Sequence, residues 1–221
     1  MSSAVIQLIV LAGIAIFLIL RLRSVLGSRE GFEKPAAPPV GDDTRPSARR
    51  NFEVIEGGPD RDITDHVAEG SDAARALAAM KQADPAFRVG EFLHGARSAY
   101  EMILMAFERG DLASVRPYLA EDVHDAFAEV VTAREREGLQ IQSSFVGIRE
   151  VVLQDARFNP GTRLGEVTVR FIGELTYVVR NAEGQIVEGN PNEIRRQRDI
   201  WTFARTMGAA DPNWQLLATG E

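Results

Sequence analysis

EVTVRF, residues 166–171, alternates strictly: Val167, Val169 and Phe171 fall on one side, Glu166, Thr168 and Arg170 on the other. A period of two marks a half-buried strand, and β-branched and aromatic side chains suit its pleated surface. The same pattern extends in both directions. Upstream, residues 139–158 are strand-like. Downstream, NAEG (181–184) and GNP (189–191) read as turns. Residues 195–205 read as another strand, with Trp201 and Phe203 on one face, and DPN (211–213) turns into a last strand over 214–219. Both tryptophans, Trp201 and Trp214, are expected in the core.

Before residue 138 the period is helical. Ser71 is a capping residue ahead of a run of strong helix formers to Gln82, ended by Asp84-Pro85. Its stripe of Ala73, Leu77 and Met80 is weak, which predicts a helix on the domain edge, and Phe87 is expected to turn inward. Residues 91–109 form a firmer helix: Phe92, Ala96, Ala99, Ile103 and Ala106 share a face, flanked by Leu93, Tyr100, Leu104 and Phe107. Glu121 and Asp122 open a third helix, which Gly138 stops. Helices followed by consecutive antiparallel strands define an α+β domain with helices on one side of a curved sheet.

The N-terminal third differs in kind. Residues 2–20, SSAVIQLIVLAGIAIFLIL, carry no charge, and Arg21 and Arg23 follow at once. Twenty helical residues rise about 30 Å, the thickness of the hydrocarbon core. A cleaved signal peptide would carry its basic residues before a shorter apolar run, with a small-residue cleavage site after it. Here that order is reversed. The expectation is a transmembrane anchor with a basic flank over 1–26, with Arg21 and Arg23 on the cytoplasmic side and the N-terminus outside. Residues 27–70, rich in Pro, Gly and mixed charge, read as a flexible linker reaching roughly 35 Å. Phe52, Val54 and Ile55 form a small apolar island within it. Residues 71–221 are expected to be the globular domain, on the cytoplasmic side of the membrane.

Composition excludes several chemistries. The 221-residue chain has no cysteine, so thiolate catalysis, disulfides and cysteine-ligated zinc are out. A net charge of −7 argues against nucleic acid as a partner. Phosphate-binding glycine loops, the nucleophile elbow and the zinc-protease helix motif do not occur. His66, His94 and His124 lie in separate elements without ligand spacing, so no metal and no cofactor is expected. Asp199 shares a strand face with Trp201 and is a possible general base; the plainer expectation is that it offsets neighbouring arginines at an exposed strand end. Arg195, Arg196 and Arg198 form the one dense basic patch, a candidate contact for an acidic partner or lipid, or else paired with Glu188 and Glu193.

Read in order, FLHGA (92–96), GDL (110–112), the stretch 127–138 with Arg134-Glu135, VTVRF (167–171), VEG (187–189), WTF (201–203) and DPNW (211–214) through Ala218-Thr219 resemble the Tim44-like family. The resemblance covers about 71–219, and with the early anchor it looks like the bacterial, alphaproteobacterial-type membrane-anchored form. It implies a nuclear-transport-factor-two-like cone, with helices packed on a curved antiparallel sheet around a pocket. It also implies membrane association and a non-catalytic adaptor role toward lipid or translocation partners. The long N-terminal region through which mitochondrial members engage their chaperone motor has no counterpart here. The alternatives are a ribosome-associated membrane-protein insertion factor and an isomerase- or dehydratase-type enzyme on the same cone. The enzyme would require Asp199 to converge with one of Tyr100, Tyr118 or Tyr177.

Overall fold

The computed structural model describes residues 58–220. The expected anchor with Arg21 and Arg23, and the island at 52–55, lie outside the described residues. Among the described residues four α-helices precede four strands: α1 (Arg61–Thr64), α2 (Asp72–Ala83), α3 (Val89–Arg109), a 3-10 turn (Ala113–Tyr118), α4 (Glu121–Arg136), then β1 (Gln140–Asn159), β2 (Leu164–Arg180), β3 (Ile186–Thr206) and β4 (Gln215–Gly220). The strands form one antiparallel sheet in sequence order. The α+β arrangement expected from the periods is the one observed.

Local chemistry accounts for the helix ends. The Ser71 hydroxyl accepts from the Ala74 amide at 3.1 Å to start α2. Gly110 closes α3 in the left-handed region at φ 74°, where glycine avoids the Cβ clash. The start of α3 has no cap of its own: Asp62 of α1 accepts from the amides of Val89 and Gly90, at 2.9 and 3.0 Å. Asp62 also takes the Lys81 ammonium at 2.8 Å. So α1, inside the span read as linker, is built into the domain, and its Ile63 is buried in the core.

Helix α2 is not an edge element. Leu77 and Met80 are fully buried, because two large side chains one turn apart suffice to seat a helix whose other apolar residues are all alanine. The Asp84 carboxylate holds Arg205 of β3 at 2.5 Å, and that guanidinium lies 5.2 Å over the Trp214 ring. The expected GNP turn is also absent. Gly189 and Asn190 lie within β3, and pairing jumps from Tyr177↔Asn190 to Thr176↔Ile194, leaving 191–193 as a bulge. Gly189 has φ 81°, and a Cβ there would stand 2.1 Å from the Tyr177 carbonyl oxygen, so glycine is required.

The core lies between α2, α3 and one face of the sheet. Val167, Val169, Phe171, Trp201 and Phe203 supply the sheet side; Phe92, Tyr100 and Ile103 supply the helix side. Tyr100 stacks on Phe171 at 4.5 Å and 12°, with Trp201 at 4.8 Å. Trp214 is only partly buried, against Phe92 at 4.6 Å and Phe87 at 5.7 Å.

Candidate functional site

Three places carry polar chemistry, and strand alternation separates them. The first is on the helix-facing side. Register pairs Val169 with Trp201, Phe171 with Asp199, Gly173 with Gln197 and Leu175 with Arg195. Asp199 is thus carried beneath α3, and the Tyr100 hydroxyl donates to its Oδ2 at 2.5 Å while the Gln197 amide donates to Oδ1 at 3.1 Å. The expectation that Asp199 offsets arginines at an exposed end is corrected: its place in the register turns it to the helices. Tyr100 is fully buried, and burial first, then the Asp199 charge, push its phenol far above the ordinary tyrosine range. The tyrosine therefore stays a proton donor at any physiological pH.

A signal for this pair existed in the sequence. Gly173 interrupts an apolar strand face, and a glycine there marks a close approach. A Cβ at Gly173 would stand 2.8 Å from the Tyr100 hydroxyl oxygen. What the sequence could not show is which aromatic side chain approaches. Of the other two tyrosines considered, Tyr118 packs against the core at the end of the 3-10 turn and Tyr177 lies toward the far end of β2.

The second place is the outer face. Arg196 is opposite Glu174 and Arg198 opposite Ile172, so these two point away from the helices, whereas Arg195 points toward them. The expected triplet is therefore split across the sheet. Glu174 accepts from Arg149 at 2.8 Å and Arg196 at 3.5 Å, and those two arginines hold its carboxyl below the usual range. Glu174, not Glu188 or Glu193, is the carboxylate that Arg196 meets. Arg170 pairs with Glu150 at 2.6 Å beside them. Among these charges stand Val146, Val152 and Ile194, exposed at 53%, 36% and 56%.

The third place is the far end of the helix-facing side, where Arg195 lies 5.9 Å over the Tyr177 ring. There Glu108 of α3 and Arg134 of α4 border a cleft of about 350 Å³. Burial pushes the Tyr177 phenol up to about 12, helped by Glu188 and Glu108. Burial also raises the Glu108 carboxyl, against the pull of Arg134 and Arg195. His66, His94 and His124 remain apart, and among the described residues no group of three or more His, Asp or Glu could hold a metal.

The molecule so described is an α+β domain with helices on one face of a four-stranded meander, an aromatic interior and a charged outer face. The Tim44-like domain model matches residues 73–221, and the chain belongs to that family. It is 26% identical over 151 residues to the human mitochondrial import inner membrane translocase subunit TIM44, covering 66% of this chain and 33% of that one. Against TIM44-1 of Arabidopsis thaliana identity is 21% over 162 residues, covering 71% and 34%. Against the probable subunit tin-44 of Caenorhabditis elegans it is 26% over 120 residues, covering 52% and 27%. The chain thus spans about a third of the length of these relatives. The intermembrane space region of the chloroplast protein ARC6 aligns with TM-score 0.38 at 9% identity, over 57% of this chain and 93% of that one. That likeness is too small to carry an argument.

Proposed function

We propose that the chain is a membrane-tethered, non-catalytic adaptor whose cone-like domain receives an acidic partner or lipid headgroups on the outer face of its sheet. In this reading residues 1–26 anchor it in the inner membrane, with Arg21 and Arg23 at the cytoplasmic boundary and the N-terminus outside. Residues 27–70 tether the cytoplasmic domain, 71–221. Support comes from the apolar run ending in two arginines and from relatives that are inner-membrane translocase subunits. Among the described residues no helix is long and apolar enough to cross a membrane, so the burden of residence falls on the N-terminal run.

The observation that carries the reading is the make-up of the outer face. Arg149 and Arg196 are 63% and 65% exposed although each touches Glu174. They stand with Arg198 among exposed Val146 and Ile194. Arginine beside aliphatic side chains suits an anionic, partly apolar surface, since the guanidinium binds oxyanions in a fork and sheds water readily. Tethering makes even a millimolar contact effective, because the local concentration is of that order. Arg195, on the other side of the strand, is not part of this contact.

The enzymatic reading has one observation in its favour, the tyrosine–carboxylate pair it requires. We read that pair as a clasp. Tyr100 is fully buried and donates its hydrogen bond to Asp199, Gln197 holds the second oxygen, and the cleft of about 350 Å³ is lined by neither Tyr100 nor Asp199.

Two measurements test the adaptor reading. The full chain should resist alkaline carbonate extraction; recovery in the wash removes the anchor. Residues 58–221 alone should float with liposomes containing anionic lipid, in a salt-sensitive way, and Arg196→Ser with Arg198→Ser should abolish this. Unchanged flotation of the double variant would remove the outer face from the contact.

A further inference from the structure

At the far end of the helix-facing side, five elements bring polar groups together without pairing them. Glu108 comes from the last turn of α3 and Arg134 from the last turn of α4. Ser143 of β1 lies opposite Tyr177 of β2, and Arg195 of β3 covers the Tyr177 ring. Glu108 and Arg134 attract each other. Yet Glu108 Oε2 and Arg134 Nη1 are buried without a hydrogen-bond partner, and so is Ser143 Oγ. Buried polar atoms are as a rule satisfied, and such an orphan group calls for an explanation. Three of the five found among the described residues belong to this end of the domain.

Glu108 and Arg134 also line a cleft, through atoms other than these. The cleft of about 350 Å³ lies between the ends of α3 and α4 and the start of β1, with Phe107, Val131, Leu139 and Ile141 as its apolar wall. Its size is at the lower end of small-molecule sites, and its lining is divided about evenly between apolar and polar groups. Arg134 is held in place by its guanidinium lying 4.4 Å over the Phe107 ring, which itself packs on Phe127 at 4.5 Å.

We propose that this cleft binds a small amphiphilic monocarboxylate, its carboxylate on Arg134 and its apolar body against Phe107, Val131, Leu139 and Ile141. Two α-helices end here, and their carbonyl ends alone would favour a cation. Arg109, Arg134 and Arg136 in those last turns already meet that field. Burial raises the Glu108 carboxyl, which lessens its repulsion of an incoming carboxylate. A dianionic phosphate would face Glu108, Glu135 and Glu188 with twice the charge, so a monoanion is the better fit. This assignment is independent of the outer face, which lies on the opposite side of the sheet.

The test uses the full chain in lipid nanodiscs and hexanoate as the probe, by equilibrium dialysis of the labelled acid with empty nanodiscs subtracted. Saturable binding of one hexanoate per chain is expected, stronger as pH falls through the raised range of the Glu108 carboxyl. Arg134→Gln should weaken it by about tenfold or more, as loss of a charge-assisted contact would. Glu108→Gln should keep binding and remove the pH dependence, while Arg198→Ser should change neither. If Arg134→Gln does not fold, as its melting curve would report, Arg134→Lys serves in its place, with a smaller loss because the charge stays and the fork is lost. Several outcomes overturn the proposal: no saturable binding above empty nanodiscs, equal binding of hexanol, equal competition by inorganic phosphate, or Arg134→Gln folded with undiminished affinity.

Discussion

Along β2, Val167, Val169 and Phe171 point toward the helices and meet Trp201, Phe203 and the stacked ring of Tyr100. A few residues farther, Tyr177 points to the same side and meets Arg195, with Glu108 and Glu188 close enough to raise its phenol. Strand, face and period are the same, but the contents are opposite. In the near half apolar rings fill the space, and Asp199 is satisfied by Tyr100 and Gln197. In the far half Glu108, Arg134 and Ser143 keep unpartnered buried atoms. A binary apolar–polar pattern says which way a side chain points; it does not say whether anything stands there to receive it. Stability should therefore be concentrated in the near half, and binding in the half that is left polar.

Trp201→Ala gives the comparison its largest expected effect. The ring is 3% exposed and within 4.8–6.1 Å of Tyr100, Phe171 and Phe203. Its loss should cost about 3–5 kcal/mol, a large share of the roughly 5–15 kcal/mol typical of a domain. Urea denaturation followed by circular dichroism measures it. An unchanged midpoint would mean the near half is not where stability resides.

Two strand glycines sharpen the contrast. A methyl at Gly173 would stand 2.8 Å from the Tyr100 hydroxyl oxygen, whereas one at Gly147 on the outer side meets nothing within 4 Å. Gly173→Ala should destabilise by about 1–3 kcal/mol through overpacking. Gly147→Ala should be neutral or slightly stabilising, since alanine loses less backbone entropy on folding. Equal costs in the two variants would show that the Tyr100–Asp199 clasp can move aside freely.

Much of this fold was legible and some of it was not, for identifiable reasons. The change from a 3.6-residue to a two-residue period at Gly138 placed the three longer helices and the four strands, because amphipathic faces this regular have few other solutions. Helix α1 escaped because four residues carry no period; it exists through Asp62, whose partners lie 19 to 28 residues away. Asn190-Pro191 read as a turn because bulges and turns draw on the same residues. For the candidate sites, alternation put Asp199 beside Trp201 and Arg196 beside Arg198 on shared faces, as the register bears out. The Tyr100–Asp199 bond spans 99 residues, and no local pattern encodes such a partner. The orphan groups of the far end come from α3, α4 and β1, which no local reading could bring together.

The smallest expected effects come from two carboxylates at opposite ends of α3, with opposite signs. Burial alone would raise the Asp62 carboxyl, but the Lys81 hydrogen bond and the amides of Gly90 and Val89 outweigh it and hold the group at about 2. Its folded value lies below the roughly 3.9 of an unfolded aspartate. Its stabilisation is therefore complete above that unfolded value and is lost as pH falls through about 2. Asp62 keeps part of its contact with water, so solvent screening reduces the contribution at neutral pH to about 1 kcal/mol. Glu108 runs the other way. Burial raises its folded carboxyl above the unfolded value, so its stabilisation is present in acid and is lost as pH rises through the raised value. Asp62→Asn should lower the urea midpoint near neutrality and leave it nearly unchanged below the acid transition. Glu108→Gln should raise the midpoint near neutrality and leave it unchanged in acid. If both variants shift the midpoint in the same direction at neutral pH, the far end of α3 is as well satisfied as the near end, and the contrast between the two halves of the sheet fails.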